Sequence, residues 1–167
     1  MKAMKAMEIM SSNVRTATPL MTVGEAAGIM RDFDVGFLPV VDEKDRSRLV
    51  GVVTDRDLVT RALAVGRGLD TSIRFVMTVP PITIAGEAMD VHDVLKLMER
   101  HQVRRVPVVT IDGQVLGVIS QGDLALRIGP FEPAAVEELL ERVSTPSWLH
   151  PFMENGPLRP PRLGTSR

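Results

Sequence analysis

Apolar residues recur at helical spacing twice along this chain. Val23, Ala26, Ala27 and Met30 stand at i, i+3, i+4 and i+7, and Val91, Val94, Leu95 and Met98 repeat the pattern 68 residues later. That spacing lines four side chains along one helix face, so each stripe predicts an amphipathic helix. Beyond each stripe the pattern changes to short, almost wholly apolar runs. Phe37-Leu38-Pro39-Val40-Val41 matches Arg105-Val106-Pro107-Val108-Val109 at an offset of 68. Gly51-Val52-Val53-Thr54-Asp55-Arg56-Asp57-Leu58 then matches Gly117-Val118-Ile119-Ser120-Gln121-Gly122-Asp123-Leu124 at an offset of 66. Apolar runs of this length predict strands covered on both faces. The two-residue difference falls in the intervening turn, which carries the hairpin pair Asp112-Gly113 in the second copy.

Each copy therefore reads as a short strand near Thr16 or Thr83, a helix, two strands around a turn, and a closing helix. This is a βαββα unit, written twice, and it predicts an α/β (α+β-like) fold with repeats at 8–66 and 72–129. Gly66-Arg67-Gly68 ends the first copy and opens the linker. Gly129-Pro130 stops the second, and Pro133 suits the first turn of a further helix. Val136, Leu139, Leu140 and Val143 give that helix an apolar face, which must pack on the repeats or on a partner. From Ser144 the chain is rich in proline, so 130–167 reads as a C-terminal helix and an extended tail whose Trp148, Leu149 and Phe152 are docking candidates.

Composition narrows the function classes. The chain is 44% hydrophobic and 25% charged, as expected of a soluble globular protein. Its formal net charge of −1 supplies no bulk field for nucleic acid or an anionic membrane. There is no cysteine, which removes disulfides, thiolate metal sites and cysteine nucleophiles. No apolar run approaches membrane-spanning length, and the two lysines near the N-terminus are not followed by the apolar core of a signal peptide. A cytoplasmic location is the expectation. His92, His101 and His150 lack metal-ligand spacing, His92 and His101 read as solvated, and no Walker loop, Gly-x-Ser-x-Gly or dinucleotide fingerprint is present. No catalytic residue is expected, and a hydrolase is set aside on that ground.

The doubled set of helix stripe, x-Pro-Val-Val strand and Gly-Val-Val/Ile-Thr/Ser-x-x-Asp helix start resembles the cystathionine-β-synthase (CBS) domain. The resemblance covers about residues 8 to 129. It implies a pseudo-twofold domain pair, the Bateman module, which commonly dimerises. In that family the clefts bind AMP, ADP, ATP and related adenosyl ligands and regulate an enzyme, channel or transporter. No such enzyme is fused here, so the target would be a separate chain, and a homodimer is expected. The layout also resembles small stand-alone bacterial CBS pairs linked to stress or hypoxia, some without a known ligand. A ligand-free scaffold is therefore the alternative.

Several residues carry the site reading. At Thr54 and Asp57 a helix start exposes backbone N–H groups that suit a phosphate. A carboxylate one turn in can accept two hydrogen bonds from a ribose diol. The same residues also spell a capping box, which needs no ligand. Ser120 and Asp123 repeat the pattern, and the resemblance implies that this Asp holds the ribose. Arg56, whose counterpart is Gly122, either faces phosphates or is solvated. The family often places a Thr against the nucleotide near Thr16 and Thr83, although Thr is also an ordinary strand residue. Pro39 and Pro107 cannot donate to a strand ladder, which frees nearby backbone groups. The family uses main chain there, so Gly36, Phe37, Leu38, Arg105 and Val106 are expected as backbone contacts.

Overall fold

A computed structural model describes residues 4–82, 84–86 and 89–144. Thr83 and the tail with Trp148, Leu149 and Phe152 lie outside the described residues. The first repeat holds α2 (Val23–Asp32), β1 (Phe37–Val41), β2 (Leu49–Thr54) and α3 (Asp55–Asp57), preceded by α1 (Ala6–Ile9). The last of these continues as a π turn over Leu58–Ala62 and a 3-10 turn over Leu63–Val65. After a 3-10 turn at Ile73–Phe75, the second repeat holds β3 (Ile84–Ala85), α4 (Val91–His101), β4 (Arg105–Val109), β5 (Val115–Ser120) and α5 (Gln121–Ile128). The added helix α6 spans Pro133–Ser144. The repeats are α/β, as the doubled pattern predicts. The expected first strand is present as β3 in the second copy, whereas in the first it shrinks to a single parallel bridge between Ala17 and Val40.

Local chemistry sets these boundaries. The Thr22 hydroxyl accepts from the Glu25 N–H at 3.1 Å, and the Glu25 carboxylate accepts from the Thr22 N–H at 2.8 Å, a complete capping box on α2. Asp90 caps α4 by accepting from the His92 N–H. Asp34 and Gln102, at equivalent positions after these helices, both take left-handed backbone with φ of 51° and 53°. Gly66 takes φ 75° to end the helical run of the first repeat. In both repeats the strands pair antiparallel in the same register, Phe37 opposite Thr54 and Arg105 opposite Ser120, with a register shift at Val40/Val41 and Val108/Val109.

The packing crosses the repeat boundaries. One core joins Val23, Ala26 and Met30 of α2 to Leu38, Val40 and Val53, and it also takes Ile73 and Val76 from the stretch that opens the second repeat. The other joins Val91, Val94, Leu95 and Met98 of α4 to Val106, Val108 and Ile119, and it takes Ala6 and Ile9 of α1 from the start of the chain. The exchange is reciprocal in the backbone: Lys5 bridges Asp90 and Ser11 bridges Val118, while Ser72 bridges Thr22 and Thr78 bridges Val52. Gly51 and Gly117 explain the glycine that opens each Gly-Val motif. A Cβ on Gly117 would lie 2.7 Å from the Ser11 carbonyl oxygen, and one on Gly51 would lie 3.1 Å from that of Thr78. The repeats also meet directly, the Leu49 N–H donating to the Gly113 carbonyl and the Val115 N–H to that of Ser47. Helix α6 buries Val136, Leu139 and Val143 in the second core, so its apolar face is covered by this chain.

Candidate functional site

The exchange builds a cavity. The segment that pairs with β5, carrying Ser11, Asn13, Val14 and Arg15, faces Phe33, Asp34 and Val35 from the end of α2. Phe37, Arg105, Val118, Ser120 and Asp123 complete the lining of a space of about 390 Å³. Two repeats and the exchanged segment thus meet at one place. At its floor, Asp123 is the reciprocal partner of the α5 cap. One carboxylate oxygen, Oδ2, accepts from the Ser120 N–H at 2.7 Å and from the Ser120 hydroxyl at 2.6 Å, while the Asp123 N–H donates to that hydroxyl at 3.1 Å. Its other oxygen, Oδ1, receives a long 3.4 Å hydrogen bond from the Ser11 hydroxyl. Two arginines are among the residues that line the same space. Arg15 stacks 3.9 Å above the Phe33 ring, and Arg105 stands exposed at the start of β4. The chemistry assembled is a carboxylate with one oxygen outside the helix cap, a guanidinium stacked on an aromatic face and a second arginine residue. A broader, shallow depression of about 830 Å³ beside α6 offers Glu137 and Glu141 instead, and its lining includes no basic group.

The sequence model of the CBS domain matches residues 6–64 and 72–129. The chain belongs to the CBS domain family. This CBS pair is 43% identical over 122 residues to the uncharacterized protein YlbB of Bacillus subtilis, covering 73% of this chain and 80% of that one. It superposes with a TM-score of 0.69 and 29% identity on the CBS domain protein PAE2072 of Pyrobaculum aerophilum in complex with AMP, over 83% of this chain and 99% of that one. The CBS domain pair of protein MJ0100, in complex with 5′-methylthioadenosine and S-adenosyl-L-methionine, matches with a TM-score of 0.68 and 29% identity, over 77% and 98%.

Of the residues singled out in the sequence, the CBS pair brings Phe37, Arg105, Ser120 and Asp123 to the cavity. Thr54 and Asp57 lie at the matching place on the other repeat and form the same box: the Asp57 carboxylate accepts from the Thr54 N–H at 3.0 Å and from its hydroxyl at 2.7 Å. The side chains of Leu38 and Val106 are fully buried in the two cores, and Pro39 and Pro107 are buried in their strands. The Gly36 carbonyl accepts from the Asp55 N–H, and the missing side chain makes room for the Asp55 carboxylate, which a Cβ would meet at 2.6 Å. Arg56 is exposed on α3 outside the cavity lining, and Thr16 is half-buried beside Arg15. Sequence reasoning missed Ser11, Arg15, Phe33 and Asp34. The signal for Ser11 was its place 67 residues before Thr78 in the repeat, which mattered only once the exchange was known.

One histidine departs from the sequence reading. His92 is not merely solvated: its Nδ1 lies 3.0 Å from Asp90 and its Nε2 lies 2.7 Å from Glu132, which tethers the turn before α6 to the start of α4. The Glu132 and Asp90 carboxylates, in that order, raise the His92 pKa above its ordinary value. The His92 N–H and ring in turn hold Asp90 below the usual carboxylate range.

Proposed function

We propose that this CBS pair is a regulatory module that binds a phosphorylated adenosine, AMP, ADP or ATP, in the Asp123 cavity and conveys occupancy to a separate protein. The observation that carries the reading is that Asp123 and two arginines, Arg15 and Arg105, line one space, with Asp123 Oδ1 left outside the helix cap. A carboxylate oxygen accepts from a ribose hydroxyl, a charge-assisted bond, and guanidinium forks suit phosphate oxygens. The Arg15–Phe33 stack prepares a flat surface for a base or a phosphate without new ordering of the side chains. PAE2072 with AMP and MJ0100 with adenosyl ligands support the adenosine part of the reading. The two arginines favour a phosphorylated member of that class over uncharged methylthioadenosine or the sulfonium of S-adenosylmethionine.

Two modules pair into a homodimer in this proposal, through apolar residues such as Val59, Leu63 and Val65 that stand exposed beyond α3. Among the described residues no helix is long and apolar enough to cross a membrane, and the cytoplasm is the proposed location. Titration calorimetry with AMP, ADP, ATP, methylthioadenosine and S-adenosylmethionine tests the ligand. The phosphorylated ligands should bind at least about tenfold tighter, a preference of about 1.4 kcal/mol. Arg15→Ala with Arg105→Ala should erase that preference. If no adenosyl ligand binds at millimolar concentration, the scaffold reading takes its place.

A further inference from the structure

Pseudo-symmetry pairs cavity residues with counterparts in the other repeat, Ser11 with Thr78, Arg15 with Ile82, Ser120 with Thr54 and Asp123 with Asp57, and it pairs Arg127 of α5 with Arg61. The two sets differ in what sits on the aspartate. Arg61 Nε lies 3.3 Å from Asp57 Oδ1, the oxygen that the helix cap leaves over. Its Nη1 donates to the Val76 carbonyl and the Thr78 hydroxyl, each at 3.1 Å. Arg127, at the same place in the second repeat, is exposed and makes no hydrogen bond or ion pair among the described residues. The corresponding oxygen there, Asp123 Oδ1, meets the Ser11 hydroxyl and no guanidinium among the described residues.

We infer that the two clefts are unequal, with Arg61 filling the Asp57 cleft as an internal ligand, so that each chain takes one adenosine phosphate, at Asp123. The inference rests on the adenosine reading above and specifies its stoichiometry. A half-exposed ion pair by itself would give way readily. Arg61 is held by more than that, because its fork also satisfies the Val76 carbonyl, which an arriving ribose could not do without leaving that acceptor bare. Charge points the same way. Ile82 stands where the other cleft has Arg15, whereas at the helix starts the added Asp55 of α3 is offset by Arg56, as Gln121 and Gly122 of α5 carry neither charge.

Calorimetry with ADP, run to saturation on the full chain, reads this directly. Wild type should bind a single equivalent, and Asp123→Asn should weaken it by about tenfold or more. Arg61→Ala should add a second equivalent, and Asp57→Asn in the Arg61→Ala background should remove that second event. The retained event at Asp123 reports that each variant is folded. Arg61→Gln, which keeps a donor for the Val76 carbonyl, should show the same gain if the alanine variant does not fold. Two equivalents in wild type, or a single equivalent in both Arg61 variants, overturns the inference while leaving the adenosine reading intact. No binding of any adenosine phosphate by wild type overturns the adenosine reading itself.

Discussion

Replacing Asp123 by Ala and by Asn should have separable effects, because the carboxylate does two jobs with two oxygens. Oδ2 closes the cap of α5 by accepting from the Ser120 N–H and hydroxyl, and Oδ1 faces the cavity. Alanine removes both. The Ser120 N–H is then left without its acceptor in a partly buried setting, and the helix loses half of its capping box. The cost is about 1–2 kcal/mol of stability. For a domain of this size that lowers the melting temperature by about 2–8 °C. Asparagine keeps an amide oxygen for the cap and loses the charge on the ribose side. Its stability should stay within about 0.5 kcal/mol of wild type. Its affinity for adenosine phosphates should still fall by about 1.5–3 kcal/mol, roughly ten- to a hundredfold. Thermal melts without ligand and calorimetry with ADP, run on both variants, measure the two effects independently. If Asn melts as low as Ala, the cap argument is wrong. If Asn binds as tightly as wild type, Asp123 is a helix-start residue and nothing more.

Further outcomes follow from the same geometry. Gly117→Ala drives a Cβ against the Ser11 carbonyl; it should cost about 1–3 kcal/mol and loosen nucleotide binding by lifting one wall of the cavity. Gly28→Ala, in α2 with nothing within 4 Å of the added carbon, should instead stabilise by about 0.5–1 kcal/mol, and a destabilised variant would contradict the open space there. Leu139→Ala empties a fully buried position of α6 and should cost about 2–5 kcal/mol by denaturant unfolding, and a loss below 1 kcal/mol would show that α6 is not part of the core. His92 links stability to pH. Both its ring nitrogens face carboxylates, so the clasp needs the imidazolium, and the raised pKa means that its contribution is complete below the ordinary value of 6.5 and fades as pH rises through the folded value. The gap in melting temperature between wild type and His92→Gln should therefore be widest in mild acid and close in the alkaline range, and a gap that ignores pH would remove the clasp.

The parts of this molecule that local periodicity governs were legible in the chain. Both helix stripes, both strand pairs, the stop at Gly129-Pro130 and the start of α6 at Pro133 depend on residues a few places apart. The capping boxes were legible too, and the structure adds that Asp57 and Asp123 accept the hydrogen bonds of their caps rather than standing beside them. What the chain concealed depends on distant partners. Ser11 matters because it pairs with Val118, and nothing near Ser11 announces that. Thr16 drew attention as a family position, yet its neighbour Arg15 lines the cavity, a difference of one residue in a short extended segment. Arg61 looks like a surface arginine until the fold returns Val76 and Thr78 to its guanidinium. His92 acquires its role only when the turn before α6 delivers Glu132.

The crossing of α1 and the Ile73 turn between the cores has a meaning for how such a chain is put together. Each half carries a strap that belongs on the other half, the residues around Ala6 to Ser11 in one case and Ile73 to Thr78 in the other. Severed within 67–71, the chain would yield two fragments that each lack part of their own core and carry part of their neighbour's. A single repeat on its own could complete itself only by trading straps with a second copy. The tandem chain is thus the covalent form of a strap-swapped dimer. Its linker replaces a bimolecular encounter with an effective concentration on the order of millimolar, which makes the exchange independent of how much protein the cell holds. Once joined, the halves could diverge, and an arginine kept in one and freed in the other is a difference that two identical subunits could not have encoded.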